Sequence, residues 1–329
     1  MPDQLSPDQI DVLISAATAA PSMHNTQPWR FEVDGSVIDI HLDRSRALPA
    51  EDPTGRALRI ASGAAVFNLR CAAAYLGLHS WYGLMPCSDD PDHVVRVIIA
   101  PTMPPDAELA GLYHQIAFRH TSREPGLPLA LSAANRMLLS GAAMAEGLEL
   151  TWLQPDTIRT VLTMNARALL RGWADHDRTA ERAHWIGGTR TADGIPGAAL
   201  GPRPDVSPAP VRNLSAGLPG RPRTQRPYET EPTIAVLSAD ADSPADQVSV
   251  GMTLERILLI ATRQGLRASF LNEPLEYDDS RAEVQAATGK PGFAQMIIRF
   301  SYSPIAATTP RRPVEEVVHV LPASRPGPV

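Results

Sequence analysis

Five consecutive residues, Arg119-His120-Thr121-Ser122-Arg123, set two guanidiniums four positions apart with two hydroxyls and an imidazole between them. On a helix, Arg119 and Arg123 would share a face and grip a phosphate through charge-assisted hydrogen bonds. A solvated basic turn is the plainer alternative. The pair Arg311-Arg312 is a weaker candidate for the same chemistry. The loop Ser22-Met23-His24-Asn25-Thr26-Gln27-Pro28-Trp29 is polar and stiffened by Pro21 and Pro28. It offers backbone amides and carbonyls to a planar ligand, and Asn25 and Gln27 add donors and acceptors. Trp29 reads as a stacking surface or as core. His24 is a candidate base, although it has no paired acid in the sequence. Gly265 stops a helical pattern, and the strand after it carries the small residues Ala268 and Ser269, which would let a ligand approach the backbone.

Other chemistries find no support. No His, Cys, Asp or Glu group has metal-ligand spacing, no Ser stands in a Gly-x-Ser-x-Gly elbow, and no glycine-rich strand-to-helix turn matches a dinucleotide fingerprint. Lys290 is the sole lysine, so an anion site must rely on arginine, backbone N–H groups or hydroxyls. The balance of 30 basic against 36 acidic residues argues against a dedicated nucleic-acid binder. No run of 18 apolar residues is present to span a membrane. The opening MPDQLSPDQID lacks the basic and apolar regions of a secretory signal. With two cysteines, Cys71 and Cys87, there is no disulfide framework. These features together lead to the expectation of a cytoplasmic protein.

The elements that must hold these residues follow from periodicity and punctuation. Helices are expected at 7–19, capped by Ser6 and stopped by Pro21, and at 56–76, 106–118, 132–145, 156–185, 244–264 and 280–287. Gly63 and the alanines around it suit close packing of one helix on another. Strands are expected at 30–33 and 37–42, joined through Asp34-Gly35 as a hairpin, and at 94–100, 148–153, 233–237, 266–271 and 295–300. The 329 residues suggest about two domains by length. The two parts of the chain read as comparable but not matching. Proline is in surplus, 32 residues, and its densest stretch is 187–230, where eight prolines and seven glycines fall. A structureless insert of that length is usually functional or disordered. Ile195-Pro196 and Val211 with Leu214 give it apolar groups that suit packing.

The segment Ala20-Pro21-Ser22-Met23-His24-Asn25-Thr26-Gln27-Pro28-Trp29-Arg30-Phe31 resembles the flavin-contact motif of the FMN-dependent nitroreductase family. Arg119 to Arg123 resembles that family's Arg-x-Ser/Thr-x-Arg phosphate signature. Gly251 to Glu276 resembles its central helix and strand, and Gly292 to Tyr302 with Arg311-Arg312 its last core strand and basic tail. The similarity is greatest to the mycobacterial Acg-like branch. It implies an α+β, nitroreductase-like fold with mixed and antiparallel sheets and helices packed around them. Because the loop occurs once early and the arginine signature once later, it implies a single chain like a fused nitroreductase dimer, with halves at 1–105 and 106–329. One FMN site per chain and a monomer follow from the same resemblance.

The resemblance also implies roles. Arg119, Arg123 and Arg311 or Arg312 would bind the FMN phosphate, helped by Thr121 or Ser122. Ser22, Asn25 and Gln27 would contact the ribityl chain or ring edge, with His24 in the same cofactor-binding loop, and Ser269 would lie near the ring. FMN would then take hydride from NAD(P)H at N5 and pass it to a nitro or quinone-type acceptor, with no catalytic side chain required. The insert 187–230 would cover the flavin as a lid. A closed lid favours the alternative of a flavin-binding, storage or sequestration protein with little turnover. A phosphate-binding structural protein without flavin is the third reading.

Overall fold

Ser6 opens the first helix, α1 (Pro7–Thr18): its side chain accepts from Gln9 N, and Gln9 accepts in return from Ser6 N. This capping box fixes the entry of the chain. The computed structural model describes residues 4–101, 103–214, 223–304 and 307–322. After α1 come β1 (Trp29–Asp34), β2 (Val37–Leu42), α2 (Arg56–Tyr75), β3 (His79–Leu84), β4 (His93–Ala100) and α3 (Ala107–Leu112). The chain continues through α4 (Ala133–Ala145), β5 (Glu149–Trp152), α5 (Pro155–Ala174), α6 (His176–Trp185), β6 (Arg203–Pro204), β7 (Gln225–Arg226) and β8 (Thr233–Ala239). It closes with α7 (Pro244–Arg263), β9 (Arg267–Phe270), α8 (Asp278–Ala287), β10 (Phe293–Ser301) and β11 (Val318–Val320).

The architecture is α+β. One sheet has the order β11-β1-β2-β4-β3 and the other β5-β8-β10-β9. Every neighbouring pair in these two sheets is antiparallel except β1 with β11, which is parallel. Helices α2 and α7 pack against each other in the largest hydrophobic cluster, with the apolar faces of both sheets around them. Among the described residues no helix is long and apolar enough to cross a membrane.

A repeat runs through these elements. The order α1-β1-β2-α2-β3-β4 recurs as α4-β5-β8-α7-β9-β10, and the two sheets pair their strands in corresponding order. Helices α2 and α7 are each 20 residues long. At one constant offset in sequence, Arg56 corresponds to Pro244, Gly63 to Gly251, Gly77 to Gly265 and His79 to Arg267. A Cβ on Gly63 would lie 2.0 Å from Val248 O, and one on Gly251 would lie 1.9 Å from Ile60 O. Each glycine meets the carbonyl three residues before the other. That reciprocity is what a two-fold axis through the helix crossing produces.

Three expectations change here. The helix expected over 156–185 is two helices, because Asp175 adopts an extended conformation and caps α6, accepting from Asp177 N and Arg178 N. Strands β3 and β11 were not expected. The two parts of the chain match in element order, which the long β5-to-β8 connection hides. Of the proline-rich insert, residues 215–222 lie outside the described ones, with Gly217, Pro219, Gly220 and Pro222 among them. The described remainder packs through Ile195, Ala199, Leu200 and Leu214 onto Leu48, Trp185 and Met23.

Candidate functional site

Loop 21–29 holds its shape through left-handed backbone at three non-glycine positions, His24 (φ 50°), Asn25 (φ 58°) and Gln27 (φ 52°). Such strain persists only where surrounding bonds over-determine it. Ser22 Oγ accepts from Gln27 N at 2.9 Å. Asn25 donates to Gly194 O at 2.9 Å and Pro310 O at 3.0 Å, and its Oδ1 accepts from Arg311 at 3.0 Å. Gln27 donates to Ala192 O at 2.8 Å and accepts from Arg312 N at 2.9 Å. The two amides therefore stitch the loop to the insert on one side and to the C-terminal segment on the other.

Beneath this loop lies a cavity of about 820 Å³. Ser22, His24, Asn25, Arg119, Thr121, Arg123, Ser269 and Arg311 line it. Gln27, Ser122 and Arg312 do not. Ser122 is buried against Ser303 at 2.9 Å, and Arg312 turns toward Asp43 and Glu316.

The arginine motif is not helical. Arg119 caps the turn before it with extended backbone, Thr121 forms a parallel bridge with Ala268, and Ser122 N donates to Ala268 O at 2.9 Å. The expected shared helical face of Arg119 and Arg123 is thus replaced by an extended segment, in which successive residues rise by about 3.3 Å. The two arginines accordingly join different charge groups.

Arg119 belongs with Arg311. Both donate to Ala19 O, at 3.1 and 2.9 Å, and Arg311 also reaches Ala20 O at 3.3 Å. These carbonyls sit at the C-terminal end of α1, the negative end of the helix dipole. One carboxylate, Glu255 of α7, stands 3.3 Å from Arg119 Nε but without the alignment of a hydrogen bond. Burial pushes the Arg311 guanidinium down to about 9, and the Arg119 charge adds to the effect. Burial and the same two arginines push the neighbouring His120 imidazole down to about 4. The two cations share the Ala19 carbonyl, and Arg311 is held further by neutral acceptors on Ala20, Asn25, Thr309 and Pro310, but their one neighbouring carboxylate is poorly aligned, which leaves positive charge for an anionic ligand to offset.

Arg123 occupies a second electropositive group. Its guanidinium donates to Ala199 O of the insert at 2.9 Å, and among the described residues it pairs with no carboxylate. Burial, with Arg212 and Arg223 near it, pushes it down to about 10. Tyr228 anchors the same residue's backbone, donating to Arg123 O at 2.7 Å.

Arg212 fastens the insert. Its side chain is 11% exposed and reaches Glu273 at 2.6 Å, Glu276 at 3.0 Å and Glu51 at 3.5 Å. Burial alone would lower its affinity for a proton, but these three carboxylates hold it up. Glu51 also pairs with His24 and with Arg182 of α6, while Arg178 of α6 pairs with Glu276 at 2.7 Å. Burial would raise the Glu51 carboxyl, yet His24, Arg212 and Arg182 hold it well below the usual range. Arg212→Met should cost about 3–5 kcal/mol in equilibrium unfolding, because it strands buried carboxylates. A loss under about 1 kcal/mol would mean the insert is held elsewhere.

Glu51, Glu255 and Arg212 were not foreseen, and His120 was noted within the arginine motif but given no role of its own. Of the unforeseen three, only Glu255 left a trace in the sequence, as an acid within the apolar run of α7. The partners of the others lie far off in the chain. Among the described residues no group of three His, Cys, Asp or Glu side chains is arranged to hold a metal ion.

No protein-family model matches the chain. Two proteins of Mycobacterium tuberculosis are similar to nearly all of it. The provisionally named NAD(P)H nitroreductase Rv3131 is 28% identical over 316 residues, covering 94% of this chain and 91% of that protein. The provisionally named NAD(P)H nitroreductase acg is 29% identical over 345 residues, covering 97% of this chain and 98% of that protein. A nitroreductase with bound FMN from Bacteroides fragilis superposes with a TM-score of 0.38 at 13% identity, over 61% of this chain and 93% of that one. On the two mycobacterial proteins, the chain is related over nearly its whole length to the nitroreductase superfamily.

Proposed function

We propose that the cavity binds one FMN per chain and that the protein is an NAD(P)H-dependent reductase of nitro or quinone-type acceptors. The observation that carries this reading is the Arg119–Arg311 pair, two guanidiniums turned to one end of a cavity of about 820 Å³ with a single misaligned acid behind them. A phosphate monoester fits that end through charge-assisted hydrogen bonds. Thr121, Ser22 and Ser269 supply hydroxyls along the wall, and Arg123 presents a second cation suited to electron-rich carbonyls of a ring. When bound, FMN supplies the redox chemistry by accepting hydride from NAD(P)H and passing it to the acceptor. The chain's part is to hold the phosphate, orient the ring and limit water.

The finer kinship we propose is with the Acg-like branch, as a cytoplasmic monomer built like a fused dimer whose halves divide near residue 105. The repeated element order and the reciprocal glycine contact support that division. A second reading is favoured by one observation. The insert lines the cavity through Ile195, Val211, Arg212 and Leu214, which supports reading it as a lid. Held shut, it would make the protein a flavin store with little turnover. Anaerobic mixing of the FMN-loaded protein with NADPH or NADH separates the two. Flavin bleaching within seconds is expected for the reductase, and no bleaching over minutes supports the store. A protein that takes up no flavin contradicts both.

A further inference from the structure

Glu255 is fully buried in the middle of α7, behind the two arginines that face the cavity. Asn68 and Arg119 stand beside its carboxylate, but neither oxygen makes a well-aligned hydrogen bond. It faces Arg119 from the segment after α3, Arg311 from the C-terminal segment, and Asn68 and Cys71 from α2. Its neighbour on α7, Arg256, is engaged by Glu108 and Glu146, each at 2.7 Å. One carboxylate therefore balances two cations at the anion end of the cavity.

We propose that Glu255 is the proton-exchanging counter-charge of this anion site, taking up a proton from solvent when a phosphate monoester dianion seats between Arg119 and Arg311. This inference rests on the proposed phosphate site, and it adds a linkage that the site does not require. With the ligand absent, an ionised Glu255 offsets one of the two guanidiniums. With a dianion in place the two guanidiniums are already neutralised, and a charged carboxylate behind them would be repelled. Proton uptake removes that repulsion. Burial, only partly opposed by Arg119, pushes the carboxyl up to about 7, so the exchange falls within an accessible pH range. The other titratable groups contribute little, since the Arg311 guanidinium, pushed down to about 9, stays mostly charged up to pH 8.5. His120 is pushed down to about 4 and remains neutral, and burial keeps Cys71 a thiol. The phosphate's own second proton leaves near about pH 6, so the ligand is a dianion above pH 7.

The linkage has a fixed sign. Above pH 7, free protein must regain a proton to bind, so affinity falls as pH rises. In titrations of FMN into the flavin-free full chain, Kd should weaken about tenfold from pH 7.0 to 8.5. Calorimetry at pH 8 in two buffers of different ionisation enthalpy should show uptake of most of one proton per FMN. Glu255→Gln should bind with no such slope and no uptake. Equal slopes in the two proteins would overturn the inference and assign the titration to another group, Arg311 included. The uptake measured on the unaltered chain decides the matter even where the variant fails to fold. FMN binding without uptake rejects this linkage and leaves the flavin site standing. Inorganic phosphate binding with uptake, but no FMN binding, does the reverse. No binding of either rejects both.

Discussion

Gly251→Ala should unfold or severely destabilise the protein, at a cost of about 3 kcal/mol or more. The added Cβ would stand 1.9 Å from Ile60 O, and the atom it meets belongs to a helix backbone rather than a movable side chain. Relief requires α2 and α7 to separate along their whole crossing, and ordinary overpacking of a core already costs about 1–3 kcal/mol. Against a total stability of about 5–15 kcal/mol that is a large fraction. Gly63→Ala should cost nearly as much, because its Cβ would stand 2.0 Å from Val248 O. The near-equality tests the two-fold relation between the helices. Gly141 in α4 has nothing within 4 Å of its missing Cβ, so Gly141→Ala should stabilise by about 0.5–1 kcal/mol through helix propensity. Urea unfolding midpoints of the three variants check all three signs. A mild effect at both 63 and 251 would mean that the helices do not cross where described.

The second large effect concerns the ligand. Arg119→Met with Arg311→Met should weaken FMN binding about 10³-fold. Hydrogen bonds to charged groups contribute about 1.5–3 kcal/mol each, so the loss of two amounts to about 4 kcal/mol. Arg311→Met alone should lose about 30-fold on the same arithmetic. Arg312→Met is the control. Its guanidinium turns to Asp43 and Glu316 outside the cavity, so affinity should hold within about threefold. Methionine is chosen because it keeps most of the side-chain volume in the wall. Flavin fluorescence titration reads the three values directly.

Much of the fold was legible because it is locally encoded. The Ser6 box, the Asp34-Gly35 turn and the apolar runs of α2 and α7 each declare an element within a few residues. What stayed hidden depends on tertiary partners. β3 is an edge strand whose residues are mostly half-exposed or exposed, so it lacks the apolar alternation that marks a strand. β11 exists because β1 offers an open edge to residues nearly the whole chain away. Asp175 splits a helix that amphipathic spacing alone would continue. The arginine motif showed its chemistry but not its shape, since pairing with Ala268 draws it out. That pairing is why Arg119 finds Arg311 while Arg123 finds the insert. The carboxylates that set the charges, Glu51 and Glu255, reach partners more than a hundred residues off, and no local pattern encodes such contacts.

The central claim is that the Arg119–Arg311 end of the cavity seats the phosphate of one flavin. It is tested most directly by titrating FMN, and riboflavin in parallel, into the flavin-free chain at pH 7. One FMN per chain is expected, with riboflavin bound at least about 10²-fold more weakly because it lacks the phosphate. The Arg119→Met and Arg311→Met double variant should no longer distinguish the two. Equal affinity for FMN and riboflavin in the unaltered protein, or a preference that survives the double substitution, would contradict the assignment.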